Sequence, residues 1–171
     1  MRRLVAESPD KFYYADQYNN ANNVRAHVET TGPEIYAQTE GRVTHFVAGL
    51  GTSGTLVGTG RYLKQRKPSV HIVAVEPADE LQVIEGLKHM PTAIVPGIYD
   101  ASVHDTKIAV EAEVAYHVTR QLAREEGLFV GFSAGAAMYA AVKVAKSLSE
   151  GVVVAILPDA GDKYLSTGLF K

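Results

Sequence analysis

The stretch from Val43 to Glu76 constrains the fold more tightly than any other part of the chain. Val43-Thr44-His45-Phe46-Val47-Ala48-Gly49 is a short apolar run rich in β-branched residues, and it stops at glycine, as a buried strand does. A glycine-rich turn follows, and Leu56 to Lys67 then reads as a helix ended by Pro68. His71-Ile72-Val73-Ala74-Val75-Glu76 is a second buried strand, halted by Pro77. Strand, helix and strand within about thirty residues make a βαβ unit, which predicts that the two strands run parallel.

The pattern recurs further on. Val110, Val114, Val118 and Leu122 fall four apart and predict one apolar helix face, ending at Gly127 in a C-cap position. Leu128-Phe129-Val130-Gly131 reads as a strand, Ala134 to Leu148 as an alanine-rich helix, and Val152 to Leu157 as the most continuous apolar strand. That last run predicts a place in the middle of a parallel sheet. The first forty residues are polar: Asn19, Asn20, Asn22 and Asn23 cluster there, and Thr30-Thr31-Gly32-Pro33 marks a boundary. Pro77 to Asp105, with Pro91, Pro96 and Gly97, reads as a connection that dips past a site. The expected class is α/β, an open and mostly parallel sheet with helices on both faces. Ligands of such sheets bind at the carboxyl ends of the strands.

Composition narrows the function classes. A chain of 171 residues holds one domain with a real core, or part of a larger one. A net charge of −2 gives no electrostatic case for a nucleic-acid or membrane partner. Cysteine is absent, which excludes a disulfide framework, a thiolate metal site and a cysteine nucleophile. His27, His45, His71, His89, His104 and His117 lack ligand spacing, so no metal site is expected. No signal-type apolar segment follows Met1, and nothing nears the ~18 apolar residues of a membrane span. A cytoplasmic location is the default expectation.

Gly49-Leu50-Gly51-Thr52-Ser53-Gly54-Thr55 joins the first strand of the βαβ unit to its helix. Glycines let a ligand approach the main chain, and the free N–H groups of a first helical turn favour an anion. Thr52, Ser53 and Thr55 add hydroxyls, so the loop suits a phosphate held without a charged side chain. It lacks the lysine of a Walker A motif, which argues against a nucleoside triphosphatase. A tight turn serving only helix–sheet packing explains the same spacing. Gly131-Phe132-Ser133-Ala134-Gly135-Ala136-Ala137 is a second strand-to-helix junction. There Ser133 is either a capping residue or a hydroxyl at the mouth of the same crevice. A third junction runs from Leu157-Pro158-Asp159 through Asp162 to Tyr164-Leu165-Ser166-Thr167-Gly168. Asp159 and Asp162 order its loop or merely form its turns.

These junctions, in this order, resemble the cysteine synthase family of fold-type II pyridoxal 5′-phosphate enzymes, especially its cysteine synthase B and O-phosphoserine sulfhydrylase branch. The matching segments are Asp16-Gln17-Tyr18-Asn19-Asn20, His27 with Thr30 to Ile35, Gly51 to Thr55, Pro96-Gly97-Ile98, Ser133 to Ala137 and Tyr164 to Gly168. The resemblance implies that Gly51, Thr52, Ser53, Gly54 and Thr55 cradle the cofactor phosphate, and that Gly97 lines the cofactor pocket. Ser133 would hydrogen-bond the pyridine nitrogen; a hydroxyl there leaves that nitrogen largely unprotonated, which suits β-elimination and replacement. Gln17 would help hold the substrate carboxylate. The implied reaction converts O-acetyl- or O-phospho-L-serine to cysteine with sulfide or thiosulfate. Lys88 lies where some relatives carry arginine and is either a cation for a substrate phosphate or sulfonate, or a solvated surface lysine.

One departure stands out. None of the lysines at 11, 64, 67, 88, 107, 143, 146, 163 and 171 stands in the family's Schiff-base context, and the Thr-Ser-Gly-Asn loop that grips the substrate is missing. The expectation is therefore a C-terminal half. Residues 1–40 would be the end of a small domain and a crossover, and residues 41–171 the C-terminal part of the large cofactor-binding domain. Alone it should be inactive or nearly so, because the chemistry needs a positioned amine. A recombinant or proteolytic fragment, an internal start, a half complemented by a separate N-terminal chain and a non-catalytic relative all fit. The resemblance further implies a homodimer in the full-length enzyme. A serine/threonine dehydratase, a cystathionine β-synthase-like enzyme and a non-catalytic phosphate- or nucleotide-binding module remain as other readings.

Overall fold

The two strands of the βαβ unit form as β1 (His45–Gly49) and β2 (His71–Pro77), parallel, with His45 opposite His71 and Gly49 opposite Val75. Side chains alternate along a strand, so each strand feeds two cores. Phe46 and Ala48 with Ile72 and Ala74 belong to one, and Val47 with Val73 and Val75 to the other. This computed structural model describes residues 2–170. On the first face Leu56, Val57 and Leu63 of α4 (Gly54–Arg66) complete the core with Val24 of α2 (Ala21–Glu29) and Ile35 of α3 (Thr31–Gln38). On the second face stand Ala112 and Ala115 of α5 (Ala112–Glu125) and Phe132, Ala136 and Ala140 of α6 (Phe132–Lys146). A parallel sheet with helices on both faces is thus what the chain forms, and no helix among the described residues is long and apolar enough to cross a membrane.

The strand order is β3-β2-β1-β4, all parallel. Here β3 is Thr106–Val110 and β4 is Val153–Ala155. Three sequence readings need correction. Val110 ends β3 and is not part of the following helix, whose buried residues are Ala112, Ala115, Thr119 and Leu122. Small residues line that face because α6 comes close: a Cβ on Gly135 would meet the Ala115 carbonyl at 2.3 Å.

The run at 152–157 is not a central strand. Only three of its residues pair as β4, half-buried at a sheet edge; the ladder runs out after Ile156 N–H bonds the Val47 carbonyl, and Pro158 has no N–H to continue it. Residues 128–131 form no strand of the sheet. Val130 makes an isolated antiparallel bridge to Ala160, flanked by Gly131 N–H to the Asp159 carbonyl at 3.1 Å and Gly161 N–H to the Phe129 carbonyl at 3.0 Å.

The polar start of the chain is more helical than its composition suggests. Besides α1 (Arg2–Glu7) it holds α2 and α3, which meet at Thr30, the C-cap of one and the N-cap of the other. Pro33 is tolerated in the first turn of α3, where helical N–H groups lack partners anyway. The connection at 78–105 has no helix or strand. Glu76, buried at the end of β2, ties it down by accepting from Met90 N–H at 3.1 Å, and Lys107 pairs with the same carboxylate at 2.7 Å.

Candidate functional site

The strand order turns back on itself at β1: the chain passes from β1 to β2 on one side and later returns to lay β4 on the other. Open α/β sheets leave a crevice at such a switch point, outside the carboxyl ends of the strands. A crevice of about 510 Å³ lies there, walled by Ala48 and Gly49 of β1 and by Ile156 and Pro158 after β4.

Gly51, Thr52, Ser53 and Thr55 line it, and Gly54 opens α4 behind them. The Thr52 hydroxyl accepts from Gly54 N–H at 3.2 Å and from the Asn23 amide at 3.2 Å; that amide also donates to the Gln17 carbonyl at 2.8 Å. Asn23 thereby fastens Gln17 and the loop together. Ser53 adopts a left-handed conformation (φ 71°) at the N-cap of α4, and its hydroxyl is buried without a hydrogen-bond partner. Thr55 Oγ1 lies 3.2 Å from His27 Nε2, and His27 Nδ1 lies 2.9 Å from Thr31 Oγ1. Burial lowers the His27 pKa, which disfavours a charged ring beside the loop.

The second junction supplies Ser133, in the first turn of α6 and almost wholly buried. Its hydroxyl donates to Asp159 Oδ1 at 2.9 Å, and the Tyr164 hydroxyl donates to Oδ2 of the same carboxylate. Burial, then this hydrogen bond, then the charges of Asp159 and Glu85 hold the Tyr164 phenol well above its usual pKa. The Tyr164 ring also packs edge-on against Phe132, 4.6 Å between centroids. Between the two junctions lies Gly86, whose φ of +89° excludes most other residues. Its carbonyl oxygen would be 2.3 Å from a Cβ on Gly51, and a Cβ on Gly86 itself would be 3.4 Å from Ser133 Oγ.

Gln17 and Lys88 both reach the crevice, and the Lys88 ammonium sits 5.0 Å from the centre of the Tyr18 ring. Gly97 does not line this crevice. It borders a second hollow with Asn19, Val24, Arg61 and Asp100, and a Cβ there would strike Asn19. Asp159 reaches the crevice, whereas Asp162 does not line it. Among the described residues no group of three or more His, Asp or Glu side chains converges as a metal site. Three features of the site escaped the sequence reading: Gly86, Lys163 and the tie made by Asn23. A glycine inside the irregular Glu85-Gly86-Leu87 was the available signal for the first.

Chemically, the loop offers hydroxyls and first-turn N–H groups, with no carboxylate, to an anion. The buried, unpartnered Ser53 hydroxyl is a donor waiting for an acceptor, and the cradle is too tight to admit a Cβ at residue 51. These residues fit a phosphate.

A family model described as pyridoxal-phosphate dependent enzyme matches residues 1–159. The chain is 49% identical to the cysteine synthase of Aquifex aeolicus (strain VF5), over 100% of this chain and 54% of the relative. It is 46% identical to cysteine synthase B of Escherichia coli (strain K12), over 91% of this chain and 51% of the relative. Among solved structures, cysteine synthase from Entamoeba histolytica superposes with a TM-score of 0.90 at 32% identity, over 99% of this chain and 52% of that one. O-ureido-L-serine synthase does so with a TM-score of 0.90 at 39% identity, over 99% and 55%. The chain spans about half the length of the curated relatives it matches.

Proposed function

The chain belongs to the pyridoxal-phosphate dependent enzymes, and on that premise we propose that it is the cofactor-phosphate half of a cysteine synthase. The observation that carries this reading is the crevice at the β1–β4 switch point, where a buried hydroxyl and an anion-ready helix start face the second and third junctions. In this proposal residues 1–40 end a small domain and cross over, and residues 41–171 are the C-terminal part of the large cofactor-binding domain.

Gly51 to Thr55 hold the cofactor phosphate with main-chain N–H groups and the Ser53 hydroxyl. Ser133 stands at the ring nitrogen. Gln17, fixed through Asn23, presents its side chain to the carboxylate of the amino-acid substrate. Lys88 is held at the mouth against Tyr18 and meets the phosphate of O-phospho-L-serine or the sulfonate of thiosulfate as a point charge. When bound, pyridoxal 5′-phosphate supplies an electron-withdrawing ring that lets the β-substituent of an activated serine leave and a sulfur nucleophile replace it. The lysine of the family's covalent chemistry and the Thr-Ser-Gly-Asn loop belong to sequence this chain does not carry, so catalysis and homodimer assembly are assigned to the longer protein.

The test is a binding titration with pyridoxal 5′-phosphate, compared with pyridoxal. Saturable binding that depends on the phosphate is expected. Ser53→Ala should weaken it about tenfold or more, as loss of one hydrogen bond to a charged group does. Borohydride should leave no cofactor attached to Lys88 or Lys163. Equal affinity for pyridoxal and its phosphate, or tight binding of a dinucleotide alone, would sink the reading.

A further inference from the structure

We propose that α2 sets the polarity of the phosphate loop from behind: Asn23 and His27, one helical turn apart, donate into the lone pairs of Thr52 and Thr55, which leaves both hydroxyl protons for the phosphate of the ligand. The inference rests on the reading that Gly51 to Thr55 hold the phosphate of pyridoxal 5′-phosphate. It gives a role to two residues that lie outside that loop.

At Thr52 the direction follows from the partners. The Asn23 side chain donates to the Gln17 carbonyl, so its nitrogen, and not its oxygen, is the end that also meets Thr52 Oγ1. Gly54 N–H donates to the same hydroxyl oxygen at 3.2 Å. A hydroxyl has two lone pairs and one proton; with both lone pairs filled, only the proton is left to give. A phosphate dianion only accepts, and it takes that proton in a charge-assisted hydrogen bond.

Thr55 meets the same demand through His27. Thr55 lines the crevice; its hydroxyl oxygen lies 3.2 Å from His27 Nε2, and His27 Nδ1 lies 2.9 Å from Thr31 Oγ1. Burial lowers the pKa of the ring, so above 6.5 it carries one proton, on one nitrogen or the other. With the proton on Nδ1, Nε2 draws the Thr55 proton away from the crevice and a bare oxygen faces the phosphate. With the proton on Nε2, that N–H fills a Thr55 lone pair, and Thr31 gives its own proton to Nδ1. Only the second tautomer leaves Thr55 free to donate to an anion. Donation then runs from Thr31 to His27, from His27 to Thr55 and from Thr55 to the phosphate.

Three helix ends hold this relay in register: His27 in the last turn of α2, Thr31 in the first turn of α3 and Thr55 in the first turn of α4. Their spacing is set where the helices touch at glycine. A Cβ on Gly58 of α4 would stand 2.7 Å from His27 Cβ, and one on Gly32 of α3 would stand 2.7 Å from Tyr62 Cβ of α4. The base of the His27 side chain is thus pinned against the helix that carries Thr55. Arg25 and Glu29, the charged neighbours of His27 on α2, pair with each other on the exposed face at 3.6 Å. Asn23 and His27 are positioning residues, each acting through a threonine.

The experiment labels the histidines of the chain with ¹⁵N, saturates it with pyridoxal 5′-phosphate at mildly alkaline pH and reads the His27 ring nitrogens, identified by their loss in His27→Gln. The complex should carry one ring proton, on Nε2. A proton on Nδ1, or on both nitrogens, overturns the proposal without any further variant. Dissociation constants for pyridoxal 5′-phosphate and for pyridoxal then separate polarity from packing. His27→Leu should weaken the phosphate ester about two- to tenfold, the worth of one ordinary hydrogen bond, and leave the weaker binding of pyridoxal unchanged. His27→Gln, whose amide can donate to Thr55 and accept from Thr31, should restore the affinity. In a Thr55→Val background His27→Leu should cost nothing more. Equal losses for both ligands, no rescue by glutamine, or a His27→Leu effect that persists without the Thr55 hydroxyl would mark a merely structural role and overturn the proposal. Failure to bind pyridoxal 5′-phosphate at all overturns the functional reading, and this inference with it.

Discussion

Replacing Gly51 by alanine puts the packing of the crevice wall to a direct test. The new Cβ would lie 2.3 Å from the Gly86 carbonyl oxygen, where ordinary contact begins at 3.4 Å, so the two segments must part by about 1 Å. Gly86 has little room to yield: its backbone is left-handed and Ser133 lies beside its α-carbon. Overpacking of this kind costs about 1–3 kcal/mol. If the parting also breaks the 2.7 Å bond from Lys88 N–H to the Leu50 carbonyl, about 1 kcal/mol is added. The sum is about 2–4 kcal/mol, which for a chain of this length lowers Tm by roughly 5–15 °C. Gly51 is not at positive φ, so contact alone sets the cost, and serine should behave as alanine does. Thermal melts followed by circular dichroism, paired with pyridoxal 5′-phosphate titration, measure both effects. Wild-type melting together with wild-type affinity would refute the argument that this turn is a fitted cradle.

Three further outcomes are expected. Glu76→Gln keeps the shape of the buried side chain but strips Lys107 of its partner and weakens the bond from Met90 N–H. A loss of about 1–3 kcal/mol in urea denaturation follows, below the full cost of splitting a buried pair because Lys107 is partly solvated. His27, His45 and His104 all have pKa values lowered chiefly by burial from 6.5, so the unfolded chain binds protons first. Their contribution to stability is complete above 6.5 and is lost as pH falls below it, and the urea midpoint should drop between neutral and mildly acid pH, less steeply in His27→Gln. Tyr164 should stay protonated where tyrosine ordinarily ionises, near 10.0, so ultraviolet titrations of wild type and Tyr164→Phe should coincide through that range.

The βαβ unit was legible because its strands are buried on both faces and its turn and stop signals are local: glycines at 49 and 51, prolines at 68 and 77. β3 was hidden because it is an edge strand whose Thr106 and Lys107 face solvent, and Val110 happens to continue a helical spacing across the turn at Glu111. The run at 152–157 misled in the opposite direction, since apolarity says nothing about how many neighbours a strand finds. α2 buries Val24, and Val28 partly, against the core; it packs through Gly58 of α4, where a Cβ would strike the Val24 carbonyl, a fit that exists only between elements. The same holds for the crevice. The loop at 51–55 and Ser133 carried local signatures, but Gly86 reaches them through an irregular segment whose course is set by Glu76 and Met90. The hydrogen bond joining Ser133 to Asp159 spans separate junctions, and residue types alone did not reveal which way its proton points.

Ser53 carries two standing costs in the folded chain. A left-handed backbone at a residue with a side chain costs about 1–2 kcal/mol, and a buried hydroxyl without a partner about 1–3 kcal/mol more. An anion that accepts from this hydroxyl removes the second; that relief is part of its affinity, and at a hundred times its Kd the ligand stabilises the fold by about 2.7 kcal/mol in all. In thermodynamic terms such a ligand is a missing piece of the core. The fraction of chains unfolded, and with it their exposure to proteolysis and their lifetime, would then be set by the supply of that small molecule as much as by the amino-acid sequence.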